Sequence, residues 1–195
     1  MSEDRKPSAY SKALAAAKGL FAEQGYETVT TAEICEAAGI SNGSLFHHFG
    51  NKEGISVAVF VDLVRTYQAE IREKLAPTVH AADGIAAFID AHNRWVESDP
   101  EGARILFNGQ HPRWSALSLK KIRAENQAFG QTLAVWRDNL EDGYRLGDRS
   151  IALIAAALIG PTQVYCRAWL AGQSNVPPSA NIGALTELAQ RALLD

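Results

Sequence analysis

Cysteine, methionine and proline are scarce in this chain, with two, one and seven copies among 195 residues. Cys35 and Cys166 lie far apart and form neither a CxxC nor a metal-ligand spacing, which excludes a disulfide scaffold and leaves two small buried hydrophobes as the expectation. His80, His92 and His111 are isolated, and no histidine pair falls at i, i+4 on a helix, so no metal site is expected. The longest apolar run, residues 151–159, meets Gly160-Pro161 well short of the roughly 20 residues that span a bilayer. The N-terminal MSEDRKPSAYSK lacks the apolar stretch of a secretory signal. A cytoplasmic chain with no membrane partner is the expectation. There is no glycine-rich phosphate loop, nucleophile elbow or paired acid/base spacing, so no catalytic residue, cofactor or enzymatic activity is expected.

What is present is helix. Hydrophobic residues make up 47% of the chain, enough for a full core, and charged residues, at 21%, are too few and too mixed in sign for a disordered one. No segment alternates with period two and no repeat is found, so the fold class is all-α. Residues 1–8 read as a loose arm. A first amphipathic helix over 11–24 carries Leu14, Ala17, Leu20 and Phe21 on one face and ends at Gly25.

The most informative stretch is residues 30–49, TTAEICEAAGISNGSLFHHF. Thr30 is placed to cap a helix, with Glu33 three residues on as its capping-box partner. Gly39 lets the chain leave that helix with positive φ, and Ser41 caps the next. Leu45 and Phe49, four apart, point inward with His48 near their edge, which turns Asn42, Gly43, Phe46 and His47 outward. Two short helices joined by a tight turn make a helix-turn-helix, the device that seats one helix in a DNA groove. Charge gives this reading little help. Arg5, Lys6, Lys12, Lys18 and Lys52 face Glu3, Asp4, Glu23, Glu27, Glu33 and Glu36, a net of −1 over residues 1–52. Phosphate contact therefore relies on a local edge from Lys52, Lys12 and the Arg5-Lys6 arm, aided by helix N-terminal amides.

The text from residue 13 to 55, in particular LFAEQGYE, EICEAAGIS and GSLFHHF followed by NKE, resembles the tetracycline-repressor (TetR) family of transcriptional regulators. The resemblance implies a DNA-binding domain over residues 1–52 (arm 1–10) and a helical ligand-binding and dimerisation domain over 53–195, of which 53–76 is a linking helix. It further implies double-stranded DNA carrying a pseudo-palindromic operator as one partner, a small-molecule effector as another, and a homodimer. The resemblance also implies DNA contacts at Thr31, Ser41, Asn42, Gly43, Ser44, Phe46, His47, His48 and Lys52. Two positions depart from the family pattern: Asn42 stands where Lys is common and Phe46 where Tyr is common.

The body reads as further helices over 82–97, from Pro100, through 119–140, from Asp148 with a kink at Pro161, and over 180–194. All four tryptophans lie in it. Polar residues on apolar stripes, together with the aromatics, nominate His92, Phe107, Asn126, Phe129, Trp136, Tyr165 and Trp169 as the ligand-binding set. The last two helices carry more apolar residues than one-sided packing needs. Ile151, Ile154, Ala155, Leu158, Ile182, Leu185, Leu188, Ala189 and Ala192 are accordingly expected at a dimer interface of four helices.

Overall fold

The structure, a computed structural model, describes residues 8–107 and 115–195. The Arg5-Lys6 arm, His111 and Trp114 lie outside the described residues. Every regular element among the described residues is helical, with α1 Ala9–Gln24, α2 Thr31–Ala38, α3 Asn42–Phe49, α4 Lys52–Leu75, α5 Ala81–Ser98, α6 Pro100–Phe107, α7 Ala116–Asp138, α8 Ile151–Leu170 and α9 Ile182–Leu194. Short 3₁₀ turns at Gly143–Leu146 and Pro178–Asn181 precede α8 and α9.

The caps explain most of the boundaries. Thr30 Oγ1 accepts from the Glu33 amide at 3.2 Å, and the Glu33 carboxylate accepts the Thr30 amide at 2.7 Å, closing the box expected from the sequence. Gly39 leaves α2 in the left-handed region at φ 62°. Ser41, Asn51 and Ser115 cap α3, α4 and α7. Asp99 caps α6 with one carboxylate oxygen, which takes the Gly102 amide at 3.0 Å, while the other holds Lys18 Nζ of α1 at 2.6 Å. Two starts differ from the sequence reading. Ser150, rather than Asp148, caps α8, because its hydroxyl reaches the Leu153 amide. The stretch before α9 winds as a 3₁₀ turn and enters the α-helix only at Ile182. Gly160-Pro161 does not end α8, which runs on to Leu170.

Three short helices, α1 to α3, form a head whose centre is Ala13, Ala17, Phe21, Val29, Ile34 and Leu45. Helix α4 runs from this head into the body, where it packs on α5 and α7; α5 in turn is covered by α6, α8 and α9. One continuous apolar cluster joins Ala13 in the head to Leu193 in the last helix. The link is the row Ile55, Val59, Leu63, Tyr67, Ile71 and Leu75, all buried and four residues apart.

The dimer stripe read from the sequence divides here. Ile154, Leu158, Leu185 and Ala189 are buried within their own chain, so they hold α8 and α9 onto the body instead of facing a partner. Ile151, Ala155 and Ile182 are half-buried against the same core. Leu188, 55% exposed, and Ala192 remain outside, joined by Leu153 at 54% and Val164 at 69%, which the sequence reading did not name.

Close packing fixes one residue type. The Trp136 indole lies against the backbone of Gly84 so tightly that a β-carbon there would overlap the ring, while its Nε1–H donates to Thr78 Oγ1 at 3.0 Å. Gly84→Ala is expected to lower the unfolding free energy by about 1–3 kcal/mol in urea titration, through overpacking. Gly130→Ala on α7, where a β-carbon meets nothing within 4 Å, is expected to be neutral or to stabilise by up to about 1 kcal/mol.

Candidate functional site

The head presents α3 by anchoring only one side of it. Leu45 is fully buried, and Phe49 stacks on Tyr10 of α1 with centroids 4.9 Å apart. Asn42, Gly43, Phe46 and His47 are exposed, Phe46 to 47%. A β-carbon on Gly43 would meet only Ser41 Oγ, at 3.9 Å, so the space above it is open to a groove rather than filled by the protein. His48, expected at the edge of the inward pair, is instead exposed, edge-on to Tyr10 at 6.0 Å. Ser41 is exposed, and Thr31 and Ser44 are half-buried at the starts of α2 and α3.

Two tethers were not legible in the sequence. The Cys35 thiol donates to Asn42 Oδ1 at 3.3 Å, orienting the first side chain of α3. Lys52, assigned to phosphate, donates to the Glu27 carbonyl at 3.1 Å and lies 4.5 Å over the Tyr26 ring. Its ammonium is therefore held at the junction of head and α4. Thr30's hydrogen bonds keep the Glu33 carboxyl below its ordinary pKa, so that charge persists in the first turn of α2.

In the body, polar and aromatic side chains converge on Tyr67 of α4. Its hydroxyl lies 2.8 Å from His92 Nδ1. Around it stand His92 and Trp95 of α5, Phe107 of α6 and Phe129 of α7, with ring centroids 5.2–6.3 Å from its own. Phe107 stacks on the His92 imidazole at 5.4 Å. Beside them, Thr162 Oγ1 and Cys166 Sγ of α8 both donate to Asn93 Oδ1, at 3.0 and 3.3 Å, and Asn93 Nδ2 donates to the Ile89 carbonyl. Burial pushes the Cys166 thiol up to about 12, which makes it an inert thiol. His92 Nε2, in contrast, is buried and has no hydrogen-bond partner among the described residues.

Of the seven residues nominated for ligand binding, His92, Phe107 and Phe129 come together. Asn126 does not: it is exposed on the outer side of α7 and anchors nothing internal. The Tyr165 hydroxyl accepts from Asn181 Nδ2 at 2.8 Å and donates to the Val176 carbonyl, so it fastens the segment between α8 and α9. Trp169 is half-buried against the core. Trp136 lines a separate open groove of about 460 Å³ between the end of α4 and α7, with Arg72, Leu75 and Val135. Tyr67 and Asn93 went unnamed in the sequence, although the four-residue spacing from Ile55 leads directly to Tyr67. Among the described residues, no three of His, Cys, Asp and Glu gather as a metal site.

A helix-turn-helix whose second helix is held by one face and bare on the other, mounted on a helical body, defines a DNA-binding regulator. Residues 13–59 match the family described as "Bacterial regulatory proteins, tetR family". The transcriptional activator FasR of Mycolicibacterium smegmatis is 29% identical over 158 residues, 80% of this chain and 70% of FasR. The transcriptional repressor KstR2 of Mycobacterium tuberculosis is 27% identical over 158 residues, 77% of this chain and 76% of KstR2. The fold is shared with the transcriptional regulator FadR from Bacillus subtilis, solved in complex with stearoyl-CoA, at a TM-score of 0.77 and 20% identity, covering 92% of this chain and 97% of that one. Residues 13–59 thus carry a DNA-binding domain of the TetR family, and the chain as a whole is similar to helix-turn-helix transcriptional regulators.

His92 sets a pH signature. Burial holds its imidazole down at about 3, against an ordinary value near 6.5. Above 6.5 both folded and unfolded chains carry it neutral, and it adds no pH dependence. Between 6.5 and 3 only the unfolded chain takes up the proton, so stability is lost as pH falls, by about 1.4 kcal/mol per pH unit. Denaturant titrations of the parent and of His92→Phe from pH 7 to pH 5 are expected to show a shallower acid decline in the variant.

Proposed function

We propose that this chain is a homodimeric transcriptional repressor of the cytoplasm that leaves its operator when a small, largely apolar effector binds in the body. The carrying observation is the open face of α3: Gly43 with free space above it, flanked by Asn42, Phe46 and His47. Bases would be met by this face, and phosphates by Ser41, Ser44, Thr31, His48 and, once freed from Glu27, Lys52. Phe46 has no hydroxyl for a phosphate, and its ring suits a thymine methyl. With a net charge of −1 over residues 1–52, binding should be modest and strongly salt-dependent.

Several features support the regulatory half of the reading. The repressor KstR2 aligns over most of this chain, and FadR, of the same fold, was solved in complex with stearoyl-CoA. The aromatic cluster around Tyr67 touches α4, α5, α6 and α7, so a molecule lodged there would press on α4, which carries the head. Ligand binding would favour a spacing of the two recognition helices that no longer fits both half-sites. Activation is the second reading, favoured by the alignment with the activator FasR; a regulator without a ligand is the third. Selection of genomic fragments by the intact chain, followed by transcription from the selected promoter with and without the protein, separates repression from activation. The test also bears on an enzymatic or purely protein-binding role, since neither would retain specific DNA.

Gly43→Val should leave the helical circular dichroism unchanged, given the open space above the glycine, and reduce operator affinity at least tenfold in fluorescence anisotropy. Retention of parental affinity would remove α3 from the interface.

The second copy would meet α8 and α9. Leu153, Val164 and Leu188 are exposed apolar side chains on these two helices, among small residues such as Ala156, Gly160, Ala184 and Ala192 that permit close approach. Leu188→Glu with Val164→Glu should give a folded monomer in ultracentrifugation with lost operator binding, because both charges are hydrated in the monomer and buried in the dimer. Leu185→Glu should instead unfold the chain, since that side chain is buried in its own body.

A further inference from the structure

The core around Tyr67 is buried and largely apolar, yet among the described residues it contains a hydrogen-bonding atom with no partner. His92 is fully buried, and its Nε2 is one of two buried side-chain atoms without a partner among the described residues. Such an atom costs free energy unless something satisfies it. The position is central. The imidazole lies between Tyr67 and Phe107, with Phe88 stacked beyond it at 6.5 Å, and the Asn93–Thr162–Cys166 hydrogen bonds run beside it.

The tautomer follows from the neighbouring phenol. If Nδ1–H donated to the Tyr67 oxygen, the phenol hydrogen would have no acceptor and Nε2 would be a bare lone pair, leaving two groups unsatisfied. If the phenol donates to Nδ1, only Nε2–H is left over. The second arrangement wins, so the orphan is a donor. What it needs is an acceptor.

The surroundings specify the kind of acceptor. The aromatic and polar side chains that α4 to α8 bring together here, Tyr67, His92, Asn93, Phe107, Phe129 and Thr162 among them, include no cation. Burial keeps the imidazole neutral, and the charge that reaches the neighbouring Cys166 thiol, that of Glu97, is negative. A carboxylate or phosphate would be desolvated there without compensation. A carbonyl oxygen on an apolar body would be satisfied by one donor and otherwise contact rings.

We propose that the effector is an uncharged carbonyl compound, a ketone, ester or thioester on an apolar body, whose oxygen accepts from His92 Nε2–H in the aromatic cluster of Tyr67, Phe107 and Phe129. This rests on the reading that the body binds a small effector. Tyr67 is a positioning residue, since its phenol fixes the donor tautomer. Phe107 closes α6 and stacks directly on the imidazole, and its ring gives way to the ligand.

The test uses three soluble probes of one size on the intact chain: propiophenone, propylbenzene and 3-phenylpropanoate, titrated by protein NMR. Long-range ¹H–¹⁵N spectra of the parent should show His92 as the Nε2–H tautomer, with that nitrogen shifting on addition of propiophenone. The parent should prefer propiophenone to 3-phenylpropanoate. His92→Leu should weaken propiophenone by about tenfold, the worth of one buried hydrogen bond, and leave propylbenzene within about twofold. Tyr67→Phe should lower the Nε2–H population and weaken propiophenone with it. An Nδ1–H tautomer in the parent, read without any variant, would overturn the proposal, as would a preference for the carboxylate. Propylbenzene binding with propiophenone indifferent to His92→Leu would leave an effector site standing without this anchor. If no probe binds either protein, the proposal fails and the effector reading loses its site as well.

Discussion

The structure depends on one row of contacts, the buried side of α4. Ile55 and Val59 lie under the head, Tyr67, Ile71 and Leu75 lie in the body, and Leu63 stands between them, so a single helix is shared by two groups of helices. A spacing of four drifts slowly around a helix, which lets one face serve α1 at its start and α5 and α7 further on. Each group would be small on its own. The three-helix head in particular has few large buried side chains beyond Phe21, Ile34 and Leu45, and takes much of its burial from α4.

Polar contacts then fix the angle between the groups. Lys18 of α1 reaches Asp99, which also starts α6. Glu53, in the first turn of α4, accepts from the Ser115 amide and the Ser118 hydroxyl at the start of α7, and those hydrogen bonds hold its carboxyl below the ordinary pKa. Contacts this near the surface contribute modest stability. Their value is geometric, since each joins a residue of the head or of α4's first turn to the first turn of a body helix. A rearrangement around Phe107 or Phe129 would move α6 or α7 and therefore reach Asp99, Ser115 and Ser118.

The elements legible in the sequence were those governed by local chemistry. Thr30 with Glu33, Gly39 and Ser41 define the head because caps and positive-φ glycines are decided within four residues of chain. The apolar period placed every body helix to within a few residues for the same reason. What the sequence could not show were choices made by tertiary packing. Apolar side chains on α8 and α9 can face either their own body or a second copy, and the periodicity is identical in both cases; burial alone separates Leu185 from Leu188. Asn126 looked like a buried anchor because it shares a helical stripe with Phe129, but it lies far enough around α7 to be solvated. Nothing local marks Tyr67 or Asn93 as a site residue, because the side chains they bond come from other helices. Lys52 matched a phosphate-binding position, and nothing local reveals that Glu27 and Tyr26 already hold its ammonium.

Because they share α4, head and body should unfold as one cooperative unit. Trp95, Trp136 and Trp169 lie in the body and residues 1–52 contain no tryptophan, so tryptophan fluorescence reports the body's unfolding, while amide exchange at Ile34 and Leu45 reports the head. Measured together across a urea titration of the intact chain, the two should lose native signal at the same midpoint. Loss of exchange protection at Ile34 and Leu45 while the tryptophan signal remains native would contradict the account, since the head would then fold independently of the helix said to support it.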